Sequence, residues 1–303
     1  MATSSPSSKH LITLCKNGEC KQLLSELQQP ATSQVALSDE YVVIDPDVGR
    51  LQKQFNLQRM LEAAARAGHA DTVELLVRFG QQHGVAVSNL VTPLIICDAL
   101  SHENSLQVLL KFHAVEPDVF SLRLPLGGSI LGAACGGGPN SERIPRKKYL
   151  GLVRHLMGIG YNPNANLLTH PDTPGYLLYV ACWQACREIV ECLLEHGAVI
   201  TGSEATRVAA NRGRIDILEV LLQYGANLNE CFTQEGINGP PGTALHAAVA
   251  SRQVATVEWL LQHGADASLR NIEGKTAGDL LPTDSDEALK DILRIYGCHV
   301  SID

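Results

Sequence analysis

Cysteine and histidine come first, because nine cysteines and 11 histidines supply the thiolate and imidazole ligands that zinc prefers. Their spacing gives no site: no C-x-x-C pair occurs, and Cys15 and Cys20 are separated by four residues. Nucleophilic catalysis would draw on Ser129, on His155 or His170, and on Asp172. A hydroxyl needs a base beside it, itself held by a third group. No G-x-S-x-G elbow or known Cys-His signature organises these residues. Gly136, Gly137 and Gly138 form a run suited to cradling phosphate, yet no lysine and hydroxyl follow at P-loop spacing. Asp284 and Asp286 precede a helical stretch and read as a helix-start signal. We therefore expect no catalytic residue, no metal and no cofactor.

Composition narrows the partners. Lys plus Arg is 24 and Asp plus Glu is 32 in 303 residues, a net charge of −8. That balance excludes sequence-independent grip on nucleic acid or on an anionic membrane, which needs a basic surface. No apolar run approaches the roughly 20 residues of a membrane span. The opening "MATSSPSSKHLITLCKNG" lacks the apolar stretch of a secretory signal. The cysteines then read as reduced thiols, and the expected location is the cytoplasm, with the nucleus as the alternative.

The elements follow from a recurring interval. Ala248 precedes Gly264 by 16 residues, and so do Ala64 with Gly80, Ala181 with Gly197, and Ala209 with Gly225. Cys97 and His113 hold the same two places in a further copy, and Ala134 to Gly160 is a stretched copy of 26 residues. Each copy opens with a short helix of small residues, which lets another helix come close. A turn follows, holding Gly68 or Gly213. The second helix then has apolar residues three and four apart, such as Ile189, Val190, Leu193 and Leu194, or Ile217, Leu218, Leu221 and Leu222. A pair with two apolar sides cannot bury both alone; stacked neighbours can. The register also accounts for the thiols. Cys97 takes the first small-residue position, Cys135 and Cys182 the second, and Cys192 a leucine position, so each is expected to be a buried filler.

The stretch "TALHAAVASRQVATVEWLLQHGAD" (243–266) resembles an ankyrin repeat, whose pattern is T-P-L-H-x-A, two helices and a Gly-Ala-Asp turn. Thr243 and His246 stand at the family's Thr and His positions, where the resemblance implies that hydroxyl and imidazole tie the turn to the neighbouring repeat. Thr92 and Pro93 supply the Thr-Pro of an earlier copy, whereas Glu204 replaces the Thr and Arg207 the His in another. The resemblance implies an all-α, ankyrin-type solenoid of stacked helix pairs with hairpin-like finger loops. About six repeats are expected over residues 57–281, with an insertion at 135–149. Residues 1–8 read as a disordered opening, 9–56 as a degenerate capping unit and linker, and 282–303 as a capping helix. Worn, finger-rich repeats of this kind resemble stand-alone ankyrin proteins of filamentous fungi, which implies a place beside metabolic or signalling enzymes.

Spare length marks the loops. From turn to turn the steps are 33, 47, 37, 28 and 39 residues, against about 33 in the family. The insertion "CGGGPNSERIPRKKY" (135–149) carries Arg143, Arg146, Lys147 and Lys148, a solvated loop whose alternative uses are an acidic partner or a nuclear-import signal. The other long segments are fingers at 161–179 and 229–242.

The resemblance implies that fingers and first helices line a concave groove, into which the residues after the small pair point. These include Arg66, Trp183 with Gln184, and Asn211 with Arg212. Tryptophan, tyrosine and arginine are enriched among interface anchors. The candidate centre is Trp183, Asn211 and Arg212, rimmed by Tyr176, His170 and Asp172. Trp259 lies among leucines and is expected in the core. The expected function is a scaffold or adaptor that holds another protein in the groove, with no nucleic acid and no membrane as partner. The alternative is an enzyme or pathway accessory with a small-molecule site between the fingers at 161–175 and 229–242, His170 and Asp172 facing in. An inhibitor of a transcription factor, using the groove and the basic loop, is a third reading.

Overall fold

The computed structural model describes residues 7–45, 50–125, 128–136, 146–165, 175–233, 240–282 and 287–296. Most of the basic insertion, the finger tips that include His170 and Asp172, and Asp284 with Asp286 lie outside the described residues. The chain divides into two compact units, Met1–Leu152 and Val153–Asp303.

The first unit is a stack of helix pairs. It contains α1 (Ser8–Asn17), α2 (Cys20–Leu27), α3 (Pro30–Ala36), the strands β1 (Asp39–Asp45) and β2 (Arg50–Phe55), then α4 (Asn56–Arg66), α5 (Ala70–Gln82), α6 (Val87–Leu90), α7 (Pro93–Leu100), α8 (Ser105–His113) and α9 (Ile130–Cys135). The division point falls inside α10 (Leu150–Gly158). Helix α4 packs on α1 and on α7, while α5 packs on α2 and on α8. First helices thus stack on first helices, and second on second. Small residues make this possible: Ala64 and Ala65 are wholly buried, as are Leu57, Met60 and Leu61 on the same helix.

The second unit repeats the arrangement with α11 (Tyr176–Gln184), α12 (Arg187–Glu195), α13 (Ala205–Asn211), α14 (Ile215–Gln223), α15 (Ala244–Ala250), α16 (Val254–Gln262) and α17 (Glu287–Ile295). Helices α11, α13 and α15 form one row, α12 packs on α14, and α17 covers α16. Ala209, Ala210, Ala247 and Ala248 are wholly buried, and so are Ile189, Val190, Leu193, Ile217, Leu218 and Leu221 on the second helices. After α14 the chain turns at Gly225 with φ of 84°, a left-handed conformation that glycine enters at little cost. Among the described residues no helix is long and apolar enough to cross a membrane.

Three findings differ from the sequence reading. Ser7 and Ser8, placed in a disordered opening, begin α1: the Ser7 hydroxyl accepts from the His10 amide at 3.3 Å, an N-cap that serine favours. The expected linker holds a ribbon, β1 antiparallel to β2 with Tyr41 opposite Lys53. It is anchored by Glu40, whose carboxylate accepts from the Ser8 hydroxyl and, at 2.8 Å, from Arg59. Trp259 is half-buried rather than core. It stacks on His263 with ring centroids 3.9 Å apart, because Val257, Leu260 and Leu261 take the inward face of α16.

Candidate binding face on the second unit

Each first helix of the second unit begins with a pair of side chains three residues apart. At α15 the pair is Thr243 and His246. The Thr243 amide donates to His246 Nδ1 at 3.2 Å, and the His246 Nε2–H donates to the Lys275 carbonyl at 3.0 Å. A buried imidazole thereby joins its own helix start to the following loop. At α13 the same positions hold Glu204 and Arg207, which form an ion pair, and Arg207 donates to the Pro240 carbonyl at 3.3 Å. At α11 they hold Tyr176 and Tyr179, stacked with centroids 5.9 Å apart. Hydrogen bond, ion pair and ring stack thus share one place in the repeat register on different backbones: Thr243 is extended, Glu204 is left-handed with φ of 59°, and Tyr176 lies one residue inside its helix, after the N-cap Gly175.

The first of these pairs makes stability sensitive to pH. Burial holds the His246 imidazole below its ordinary pKa, against the raising effect of the Lys275 carbonyl and Asp279. A histidine depressed in the folded state contributes stability that is present above its unfolded pKa of about 6.5 and is lost as pH falls through the folded value. The wild-type protein is expected to lose melting temperature more steeply between about pH 7 and pH 5 than a His246→Asn variant. Parallel slopes in thermal scans would show that His246 does not set the dependence.

Toward the ends of α11 and α13 the row opens to solvent. Trp183 is half-buried, and the guanidinium carbon of Arg212 lies 4.2 Å from its ring centroid. The Tyr179 ring lies near it, tilted by 51° with centroids 6.3 Å apart. Asn211 Nδ2 donates to the Ser251 hydroxyl at 2.5 Å, which links α13 to the turn after α15. Gln184 is half-buried beside Trp183 in the chain. The structure therefore brings together Trp183, Arg212, Tyr176 and, through Tyr179, a continuous aromatic shelf. Sequence reasoning placed Tyr179 in the finger at 161–179 and left it out of the centre, although it stands three residues after Tyr176 and four before Trp183.

Arg66 belongs elsewhere. It closes α4 in the first unit and grips Asp98 of α7 with both branches of its guanidinium, at 2.9 and 3.0 Å. Burial pushes the Asp98 carboxyl up despite this pairing, and Glu62 is raised for the same reason. A cavity of about 760 Å³ in the first unit is lined by Leu24, Leu27, Leu75 and Phe79 among others; none of the candidate site residues borders it.

Cys192, Glu195 and His196 offer ligand atoms within 4.8 Å of one another. Helix capping accounts for the histidine: its Nδ1 donates to the Cys192 carbonyl at 2.8 Å. His83 and His263 do the same to Phe79 and Trp259, at 2.8 and 2.7 Å. A histidine that ends a second helix is thus a recurring structural device. Cys135, Cys182 and Cys192 are buried as expected, but Cys97 is only half-buried, because α7 turns Ile95, Ile96, Ala99 and Leu100 inward instead.

Residues 209–271, from α13 through α16, match the family model described as ankyrin repeats (3 copies). Over 244 residues the chain is 24% identical to NF-kappa-B inhibitor zeta of Homo sapiens, covering 76% of this chain and 30% of that protein. A stretch of 84 residues is 38% identical to BCL-6 corepressor-like protein 1 of Homo sapiens, covering 28% of this chain and 4% of that protein. A third similarity is to ankyrin repeat and SOCS box protein 11 of Danio rerio, 33% identical over 138 residues, 42% of this chain and 44% of that protein. The chain spans less than half the length of each of these relatives.

Proposed function

We propose that this ankyrin repeat protein works by contact, holding a segment of another protein against the α11–α13–α15 row with Trp183 and Arg212 at the centre. The observation that carries this reading is the half-buried Trp183 with Arg212 laid across it at 4.2 Å. An indole left partly in water is an unused apolar area, and tryptophan beside arginine is the pairing enriched at interface centres. Two relatives carry names, an inhibitor of NF-kappa-B and a corepressor-like protein, that describe action on other proteins rather than chemistry on a substrate. The protein is accordingly an adaptor and not an enzyme, acting in the cytoplasm or the nucleus. Arg66, which pairs with Asp98 in the first unit, is left out of the proposed face.

Trp183→Ala tests it. Quantitative affinity capture from cell extract, with matched circular dichroism as the folding control, is expected to show at least one bound protein falling about thirtyfold, the effect of losing a hot-spot residue worth about 2 kcal/mol. If every captured protein survives the substitution, the centre of the face is misplaced.

A further inference from the structure

The charges of the second unit are sorted by row. Helices α11 (YLLYVACWQ), α13 (ATRVAAN) and α15 (ALHAAVA) contain no carboxylate. Their partners do: Glu188, Glu191 and Glu195 on α12, Asp216 and Glu219 on α14, and Glu258 on α16. The basic residues divide accordingly. Arg187 of α12 is taken up by Glu191 and Glu219, at 2.8 and 2.9 Å. Arg214 is taken up by Asp216 at 2.9 Å. Arg212, in the turn after α13, is exposed at the end of a helix whose own residues carry no carboxylate. In a chain of net charge −8, the C-terminal end of α13 thus presents a cation to solvent. The first unit differs, since its α4 and α7 carry Glu62 and Asp98.

From this sorting we propose that the occupant of the face is an acidic peptide segment, with an Asp or Glu carboxylate received by Arg212 and a neighbouring apolar residue laid on the Tyr176–Tyr179–Trp183 shelf. The inference rests on the binding face proposed above and adds the chemistry of its partner. A guanidinium held over an indole, its carbon 4.2 Å from the ring centroid, keeps N–H donors that match a carboxylate with two parallel hydrogen bonds. Among the described residues no carboxylate pairs with Arg212, so its donors meet a ligand without first breaking an ion pair. The indole beneath removes water from one side, which strengthens the attraction. Long polyanions are disfavoured, because the acidic second helices of the same unit repel a chain of phosphates.

The test is selection of a randomised displayed peptide library on the full chain, followed by anisotropy measurements on the enriched peptides. Peptides carrying Asp or Glu beside an aromatic residue or proline are expected. Their affinity is expected to fall about tenfold for Arg212→Gln and further for Arg212→Glu, less for Arg212→Lys, and to weaken between 50 and 300 mM salt (roughly a halving of the Debye length). Thermal unfolding of each variant must match wild type; Arg212→Lys, which keeps the charge, carries the comparison if the others do not fold. Neutral or basic peptides that depend on Trp183 but not on Arg212 would overturn the acidic chemistry and leave the face standing. Peptides indifferent to both residues would remove both readings. A single-stranded oligonucleotide that binds through Arg212 more tightly than any peptide would also overturn it.

Discussion

Arg207→Ala is expected to remove about 3 kcal/mol from the stability of the second unit, the scale of breaking a buried ion pair by deleting one partner. The Arg207 side chain has no solvent exposure. It pairs with Glu204, donates to the Pro240 carbonyl at 3.3 Å, and lies 5.7 Å from the Phe232 ring. Alanine leaves the Glu204 carboxylate without its cation, the following loop without its tie and the interior with a void. Urea unfolding is the measurement, read as a fall in midpoint. A second variant separates this account from general damage to a core. Glu204→Thr with Arg207→His writes the Thr243–His246 pair into the worn repeat. It is expected to recover part of the loss, the remainder being the cost of threonine at the left-handed φ of 59° that Glu204 adopts, whereas Glu204→Thr alone strands a buried cation and is expected to be as harmful as Arg207→Ala. A double variant no better than Arg207→Ala would show that the two pairs are not equivalent.

That equivalence was half legible in the sequence. The interval from small residue to turn glycine survives substitution because it expresses backbone demands: close helix approach and a left-handed turn. It therefore places Glu204 and Arg207 at the Thr and His positions without any structure. What it does not tell is that these replacements form a matched pair, since an ion pair and a hydrogen-bonded cap share no residue type. The ribbon at 39–55 escaped for another reason. Among the described residues of its strands, 39–42 and 52–55 are exposed or half-buried, with Tyr41 69% exposed, so there they carry no buried face to impose the alternation by which strands are recognised. Trp259 was misplaced because leucine neighbours in sequence were taken for neighbours in space. On a helix of 3.6 residues per turn, the residue before a buried pair can sit at the edge of the apolar stripe. Arg66 shares a register position with Trp183 and Asn211, yet there the adjoining helix supplies Asp98 as its partner. Register names a place on each repeat and leaves open what the adjoining repeat supplies there.

Gly68→Ala is expected to cost about 3 kcal/mol, from two sources that can be measured apart. The first is conformational: Gly68 has φ of 74°, and a side chain held in that region costs about 1 kcal/mol or somewhat more. The second is space. A Cβ on Gly68 would stand 2.0 Å from Nδ1 of His102 and 2.6 Å from its Cγ. The ring cannot simply step aside, because the Asn104 amide donates to that nitrogen at 3.1 Å. Removing the ring as well, in Gly68→Ala with His102→Ala, is expected to leave only the conformational part beyond the cost of His102→Ala alone. The double-mutant cycle then shows a coupling of about 2 kcal/mol. Additive effects would mean that the overlap relaxes elsewhere. The same relation recurs, with His69 over Gly18 and, in the second unit, Gln253 over Gly213. Each of these three turns thus supplies a bare backbone on which a residue of the next turn rests. Glycine is held there by its neighbour as much as by its own φ, so the turn persists in repeats whose helix-start pair has been replaced.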